Sequence, residues 1–260
     1  MAAWFNLLVD VLWPSHCAGC RSAGTWWCGE CAAAVRVSRN ARCPACEAPS
    51  GHGRYCLACE ASTPLRGIVA GASLGGALPQ AIKALKYRHA KAVAPLLARY
   101  PLAALRNTQN PRPNPAVAET PLATPPPLTA WLVPVPLHPQ KRRSRGHNQA
   151  ALIARAVAAQ TGLPLQDGLR RIRHTPSQTG LGRAERQRNV GGAFRWSGPE
   201  LRGQAIYVVD DIATTGATLA ACAATLKAAG AAEVWGLVVA RREFVGKRFN
   251  VRRRRLEPRD

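Results

Sequence analysis

The sequence predicts an α/β protein, an open parallel sheet flanked by helices and preceded by a small cysteine-rich module. Three observations predict it. Short β-branched apolar runs, Trp131 to Pro136, Ile206 to Val209 and Val234 to Val239, alternate with helical segments, the order of βαβ units. One of these runs leads straight into Asp210-Asp211-Ile212-Ala213-Thr214-Thr215-Gly216 and then a helix. Eight of the nine cysteines form four C-x-x-C pairs near the N-terminus.

Taken in order, Met1 to Trp13 is apolar but short, carries Asp10 and runs into Pro14. It lacks the basic start of an export signal and predicts a short amphipathic helix docked on the body. The pairs follow: Cys17/Cys20, Cys28/Cys31, Cys43/Cys46 and Cys56/Cys59. A C-x-x-C turn sets two thiolates on one side of a tight knuckle, and two knuckles complete a tetrahedral four-sulfur cage suited to zinc. Disulfides would need an oxidising compartment, a redox motif needs one such pair in a βαβ setting, and evenly paired knuckles favour zinc over an iron–sulfur cluster. Eight ligands predict two structural zinc ions. The spacing leaves open whether consecutive knuckles share a metal or interleave as a cross-brace. Residues 13–62 hold too few hydrophobes for an independent core, so metal would supply most of their folding energy. His16 and His52 are not needed as ligands, and Cys222, alone in Ala-rich sequence, reads as a buried small hydrophobe.

Gly67 to Ala70 predicts a strand, and Pro79 to Tyr87 and Ala92 to Leu105 predict helices on their apolar spacing. Asn107 to Thr129 contains seven prolines and no apolar period, which predicts an exposed, disordered insertion. Asn148 to Gln160 predicts a helix closed by Gly162, and Thr218 to Ala229 one closed by Gly230. The resulting division is a double ribbon over 1–62, an α/β domain over 63–246 and a basic tail over 247–260. No apolar run reaches the ~18 residues that would predict a membrane span, and the protein is expected in the cytoplasm.

The formal net charge of the 260 residues is +22, with one acid, Glu119, between Glu60 and Asp167. Basic residues cluster at Lys141, Arg142, Arg143 and Arg145, and at Arg252, Arg253, Arg254 and Arg255. Such a balance attracts polyanions, and charge alone leaves nucleic-acid binding and a solvated basic surface both open.

The turn after Val209 carries the most chemistry. Ligands of open α/β sheets bind beyond the carboxyl ends of strands, and a helix start offers free N–H groups to an anion. Gly216 lets backbone wrap closely around it, while Thr214, Thr215 and Thr218 supply hydroxyls. Asp210 and Asp211 would repel that anion but accept hydrogen bonds from vicinal hydroxyls a few ångströms away. A phosphate at one end and a diol at the other describe ribose 5-phosphate. A helix cap alone accounts for one such residue rather than for the whole run. The Gly-rich nucleotide-binding motifs are absent.

Val208 to Gly216 resembles the ribose-phosphate signature of type I phosphoribosyltransferases. The chain as a whole resembles the ComF family, which includes the GntX-type proteins. The resemblance rests on Leu85-Lys86-Tyr87-Arg88, Val133 to His138, Arg145 to Ala150, Thr175 to Leu181 and Arg183 to Val190, together with the ribbons. It implies a type I phosphoribosyltransferase fold and a site for phosphoribosyl pyrophosphate or a related group. Magnesium would be held by the ligand's own oxygens. Asp210 and Asp211 would hold ribose hydroxyls, and Thr214, Thr215, Gly216, Ala217 and Thr218 the 5′-phosphate. Val135, Pro136 and Leu137 would form the pyrophosphate loop, faced by Arg145, Asn148 and Gln149. Gln178, Arg183, Arg186 and Asn189 form a further polar stretch. The family is linked to DNA uptake in natural transformation, on the single strand entering the cytoplasm. Where the family has Phe, this chain has His147. Two functions stay open: a phosphoribosyltransferase, and a non-catalytic single-stranded DNA-binding component. Lys141, Arg142, Arg143 and the Arg252–Arg255 run are its candidate contacts.

Overall fold

A computed structural model describes residues 15–87, 90–109, 127, 129–173 and 192–243. The expected helix over Met1 to Trp13, most of the Pro-rich segment, the stretch holding Gln178, Arg183, Arg186 and Asn189, and Arg252 to Arg255 lie outside them. Short helices α1 (Gly29–Ala33) and α2 (Leu57–Glu60) belong to the cysteine-rich part. They are followed by β1 (Gly67–Ser73), α3 (Leu78–Tyr87), α4 (Val93–Gln109), β2 (Trp131–Pro134), α5 (Pro139–Arg145) and α6 (Gln149–Thr161). A hairpin-like pair, β3 (Leu169–Arg171) and β4 (Phe194–Trp196), precedes β5 (Ala205–Ala213), α7 (Ala217–Ala228) and β6 (Glu233–Arg241).

Four strands form one parallel sheet in the order β1-β6-β5-β2, and β3 and β4 pair antiparallel beside it. Strand side chains alternate between faces, and two apolar layers result. Tyr207 and Val209 join Trp235, Leu237 and Val239 on one face, against Leu78, Ile82 and Leu85 of α3, Leu97 and Leu102 of α4, and Ile153 and Val157 of α6. Ile206 and Val208 join Val234 and Val238 on the other, against Leu219, Cys222 and Leu226 of α7. Cys222 is fully buried there, as a small hydrophobe should be.

Helix α4 extends through Asn107, Thr108 and Gln109, beyond the point where the Pro-rich composition begins. Its Pro101 sits inside the helix, where Gly71 of β1 allows the backbones to meet. A side chain at Gly71 would come within 2.3 Å of the Tyr100 carbonyl carbon. Strand β5 extends through Asp210 and Asp211 to Ala213, so both acids are strand residues and not loop residues.

The cysteine-rich part covers the edge of β1. The Ser38 N–H donates to the Gly71 carbonyl (3.1 Å), Ser73 N–H to Arg36 (2.8 Å) and Ile68 N–H to Gly53 (2.8 Å). Asn40, almost fully buried, behaves as one more strand residue. Its amide donates to the Ala70 carbonyl (3.0 Å) and its oxygen accepts from the Ala70 N–H (2.9 Å). An open edge strand is thereby paired.

Candidate functional site

The eight cysteine thiols gather in two groups, Cys17/Cys20/Cys28/Cys31 and Cys43/Cys46/Cys56/Cys59, each with all sulfurs within 4.8 Å of one another. Consecutive knuckles therefore share a site, and the cross-brace is excluded. The Sγ atoms of Cys20 and Cys28 lie 3.7 Å apart and those of Cys46 and Cys56 3.5 Å apart. A tetrahedral ion with bonds of about 2.3 Å needs ~3.8 Å, so the groups fit zinc. The two ribbons repeat one local design. Arg21 and Glu47, each directly after its knuckle, take left-handed φ values of 73° and 59°. Cys28 and Cys56 each cap a short helix, whose N–H groups favour a thiolate. Burial and the neighbouring thiols push Cys31 up to about 12. Burial also raises Cys17, but N–H groups of Cys28, Cys20 and Gly19 outweigh it and bring Cys17 down to about 6. Four thiolates together thus need a cation.

The second site lies beyond the carboxyl ends of β5 and β2. The chain leaves β5 toward α7 on one face and β2 toward α5 and α6 on the other, so a crevice opens between the two connections. On the α7 side, Asp210 and the run Ile212 to Leu219 line a pocket. Gly216 takes φ +75° and caps α7. A side chain there would meet Ile68 Cδ1 at 3.2 Å and the Tyr55 hydroxyl at 3.4 Å, so only glycine closes the turn this tightly. Thr215 Oγ1 accepts from the Ala217 N–H at 3.4 Å.

Asp210 and Asp211 follow one another at the end of β5, the Asp211 N–H donates to Asp210 Oδ1 at 2.8 Å, and the two carboxyl groups lie close enough to interact. Asp211, 3% exposed, meets Lys86 Nζ at 2.5 Å and the Gln149 side-chain amide at 3.4 Å. Arg145 donates to the Gln149 oxygen (3.2 Å) and to the Tyr87 hydroxyl (3.0 Å), with its guanidinium 4.8 Å from the Tyr87 ring centre. Asp210 stays at the pocket, and burial together with the Asp211 carboxylate pushes its pKa well above the usual carboxylate range. Arg171 of β3 is close enough to feel that carboxylate. Burial lowers the Lys141 pKa, and the charges of Arg171, Arg145 and Lys86 add to this, so the four cations lie near enough to feel one another.

Of the expected pyrophosphate-side residues, Val135 and Pro136 are buried and Leu137 partly so. Asn148 donates to the Val135 carbonyl (2.9 Å) while its oxygen caps α6 at Ala150, which fixes that loop. His147 is buried and its Nε2 donates to the Leu85 carbonyl at 2.6 Å, so it packs into the core with a partner. Arg142 and Arg143 are exposed, whereas Lys141 leans into the crevice. Trp27 packs, donating to the Tyr100 hydroxyl (3.0 Å), and Trp26 is exposed. Composition and spacing gave no reason to single out Lys86, Arg171 or Tyr55. Only the Leu85-Lys86-Tyr87-Arg88 resemblance pointed near Lys86.

A double zinc ribbon joined edge-on to a phosphoribosyltransferase-type sheet is the class of protein that this fold and these sites define. Residues 8–60 match the double zinc ribbon domain and residues 147–244 the phosphoribosyl transferase domain. The chain belongs to the ComF family. It is 32% identical over 237 residues to the DNA utilization protein YhgH of Salmonella typhi, covering 86% of this chain and 96% of that protein. It is 30% identical over 233 residues to YhgH of Escherichia coli, with the same coverage. Its 35% identity to Competence protein F of Haemophilus influenzae spans 115 residues, 42% of this chain and half of that protein. No helix among the described residues is long and apolar enough to cross a membrane.

Proposed function

We propose that the protein binds phosphoribosyl pyrophosphate, or a related phosphoribosyl group, across the carboxyl edge of its sheet and acts in the cytoplasmic handling of incoming DNA. The observation that carries the first part is the order of chemistry along the crevice. The Thr214–Thr218 turn at the start of α7 offers donors to a 5′-phosphate. Asp210 and Asp211, next along, accept hydrogen bonds from the ribose hydroxyls. Lys86, Lys141 and Arg145, beyond Asp211, face the pyrophosphate. Among the described residues the groups of three or more metal-donor side chains are the two cysteine sets. Magnesium would therefore be held largely by the ligand's oxygens, with Asp210 and Asp211 nearby. When bound, it neutralises charge on the pyrophosphate. If an acceptor enters, these residues would orient the sugar so that pyrophosphate departs from the anomeric carbon as the acceptor attacks.

The DNA part rests on the names borne by the relatives, DNA utilization protein and competence protein, and on the net charge of +22. A second reading, a non-catalytic binder of single strands, is favoured by the exposed Arg142 and Arg143 at the rim of the same crevice. Calorimetric titration with phosphoribosyl pyrophosphate and magnesium tests the first part. Replacing both acids, Asp210→Asn with Asp211→Asn, should weaken binding by about tenfold or more, because charge-assisted hydrogen bonds are lost. Equal affinity in the two proteins would overturn the site.

A further inference from the structure

The carboxylate of Asp211 and the ammonium of Lys86 form the least exposed ion pair of the crevice, with side-chain exposures of 4% and 22%. The pair belongs to a ring of contacts. Asp211 also accepts from Gln149, Gln149 from Arg145, and Arg145 reaches Tyr87, the chain neighbour of Lys86. Three elements, the end of α3, the end of α5 and the start of α6, thus converge on one strand carboxylate. The same carboxylate lies beside the second acid of the proposed diol site, and the same ammonium lies among Lys141 and Arg145. Ribose hydroxyls arriving at Asp211 compete with Lys86 for its oxygens. An anion arriving among the cations competes with Asp211 for Lys86.

We infer that Lys86 is a specificity-determining residue that exchanges partners, giving up Asp211 to the sugar hydroxyls as it takes the anionic pyrophosphate. The inference rests on the phosphoribosyl reading. A buried carboxylate without a counterion is costly, so Lys86 holds Asp211 until hydroxyl donors replace it. Neither half of the ligand then obtains its full binding alone, because each half breaks the pair for one new contact. Together they break it once for two. The consequence is a coupling between ligand halves, and coupling free energies are reciprocal. Two anions placed side by side with no such exchange would instead repel each other.

The test uses full-length, zinc-loaded protein without chelator and without added magnesium, so that no bridging ion can produce the coupling. Ribose 5-phosphate is titrated calorimetrically with and without saturating pyrophosphate. Pyrophosphate should tighten ribose 5-phosphate binding by roughly fivefold or more. No change, or weakening, overturns the inference whether or not any variant folds. In the Lys86→Gln protein, pyrophosphate affinity should fall by about tenfold or more. Ribose 5-phosphate affinity should hold or rise, and the coupling should vanish. A parallel loss for both ligands would make Lys86 a structural support and overturn the inference while leaving the phosphoribosyl site standing. Failure of wild-type protein to bind ribose 5-phosphate at all removes both.

Discussion

Burial and the adjacent Asp211 carboxylate push the Asp210 pKa well above the ordinary range, with Lys86 offsetting only part of this. A carboxyl whose folded pKa exceeds its unfolded value holds its proton more tightly in the fold. Such a group lowers stability above the raised pKa, and the cost fades as pH falls through it. Asp210 is therefore a residue whose charge the fold tolerates and the proposed ligand needs. Asp210→Asn should raise stability at neutral pH by about 1 kcal/mol, the usual scale for a single stabilising substitution. For a chain of this size that is roughly 2–4 °C in Tm. The gain should shrink toward acid pH while phosphoribosyl binding is weakened at neutral pH. Thermal melts of both proteins at neutral and acid pH check this, and an unchanged or lower neutral Tm would mean that Arg171 fully compensates the charge. Asp210 was legible in the sequence as one of two adjacent acids after a strand. Its place inside β5 was not, because the sequence did not reveal that the strand continues through both acids.

The two ribbons share a backbone design but meet different elements. The first packs on the helical layer: Trp27 bonds Tyr100 of α4, and Gly19 sits against Ala77 just before α3. The second reaches the Gly216 turn that starts α7. Tyr55 is buried between its knuckles and β1 and places its hydroxyl against Gly216. Glu47, directly after the third knuckle, bonds Arg241 at the end of β6 at 2.8 Å, and Arg241 pairs in register with Ala213. The second ribbon thus abuts two residues that line the pocket, Gly216 directly and Ala213 through Arg241. Cys43→Ser should remove about one zinc equivalent on the four-thiolate stoichiometry. It should also weaken ribose 5-phosphate binding by several-fold, although no cysteine lines the pocket. Cys17→Ser should instead lose about one equivalent from the first ribbon, on the same stoichiometry, and change ligand affinity far less. Metal analysis paired with calorimetry reads both quantities, and equal loss of ligand binding in the two variants would show a general rather than a local coupling.

At the scale of the whole molecule, charge sets the longest-range behaviour. Arg142 and Arg143 project from α5 at the crevice rim, whereas Lys141 beside them turns inward toward the cation cluster. Single-stranded DNA should bind with affinity falling steeply as salt rises, because each neutralised phosphate releases counterions with a log–log slope near −0.7 per contact. Replacing Arg142 and Arg143 by Ala should make that slope less negative by about 1.4, on the same relation. Salt titrations of both proteins measure it. An unchanged slope would assign the DNA contact elsewhere, with Lys141 and Arg252 to Arg255 the remaining sequence candidates.

By itself the sequence determined the fold class, the eight metal ligands and the turn that ends at Gly216, because each rests on local spacing. Knuckles, strand periods and helix caps involve residues a few positions apart. The tertiary structure alone decided that consecutive knuckles share a metal and that Asn40 completes the edge of β1. It alone paired Lys86 with Asp211 and set Tyr55 against the turn at Gly216. Those contacts join residues up to 161 positions apart, as Tyr55 and Gly216 are. They follow from which side chains the packed sheet carries to its carboxyl edge, which no local pattern in the chain encodes.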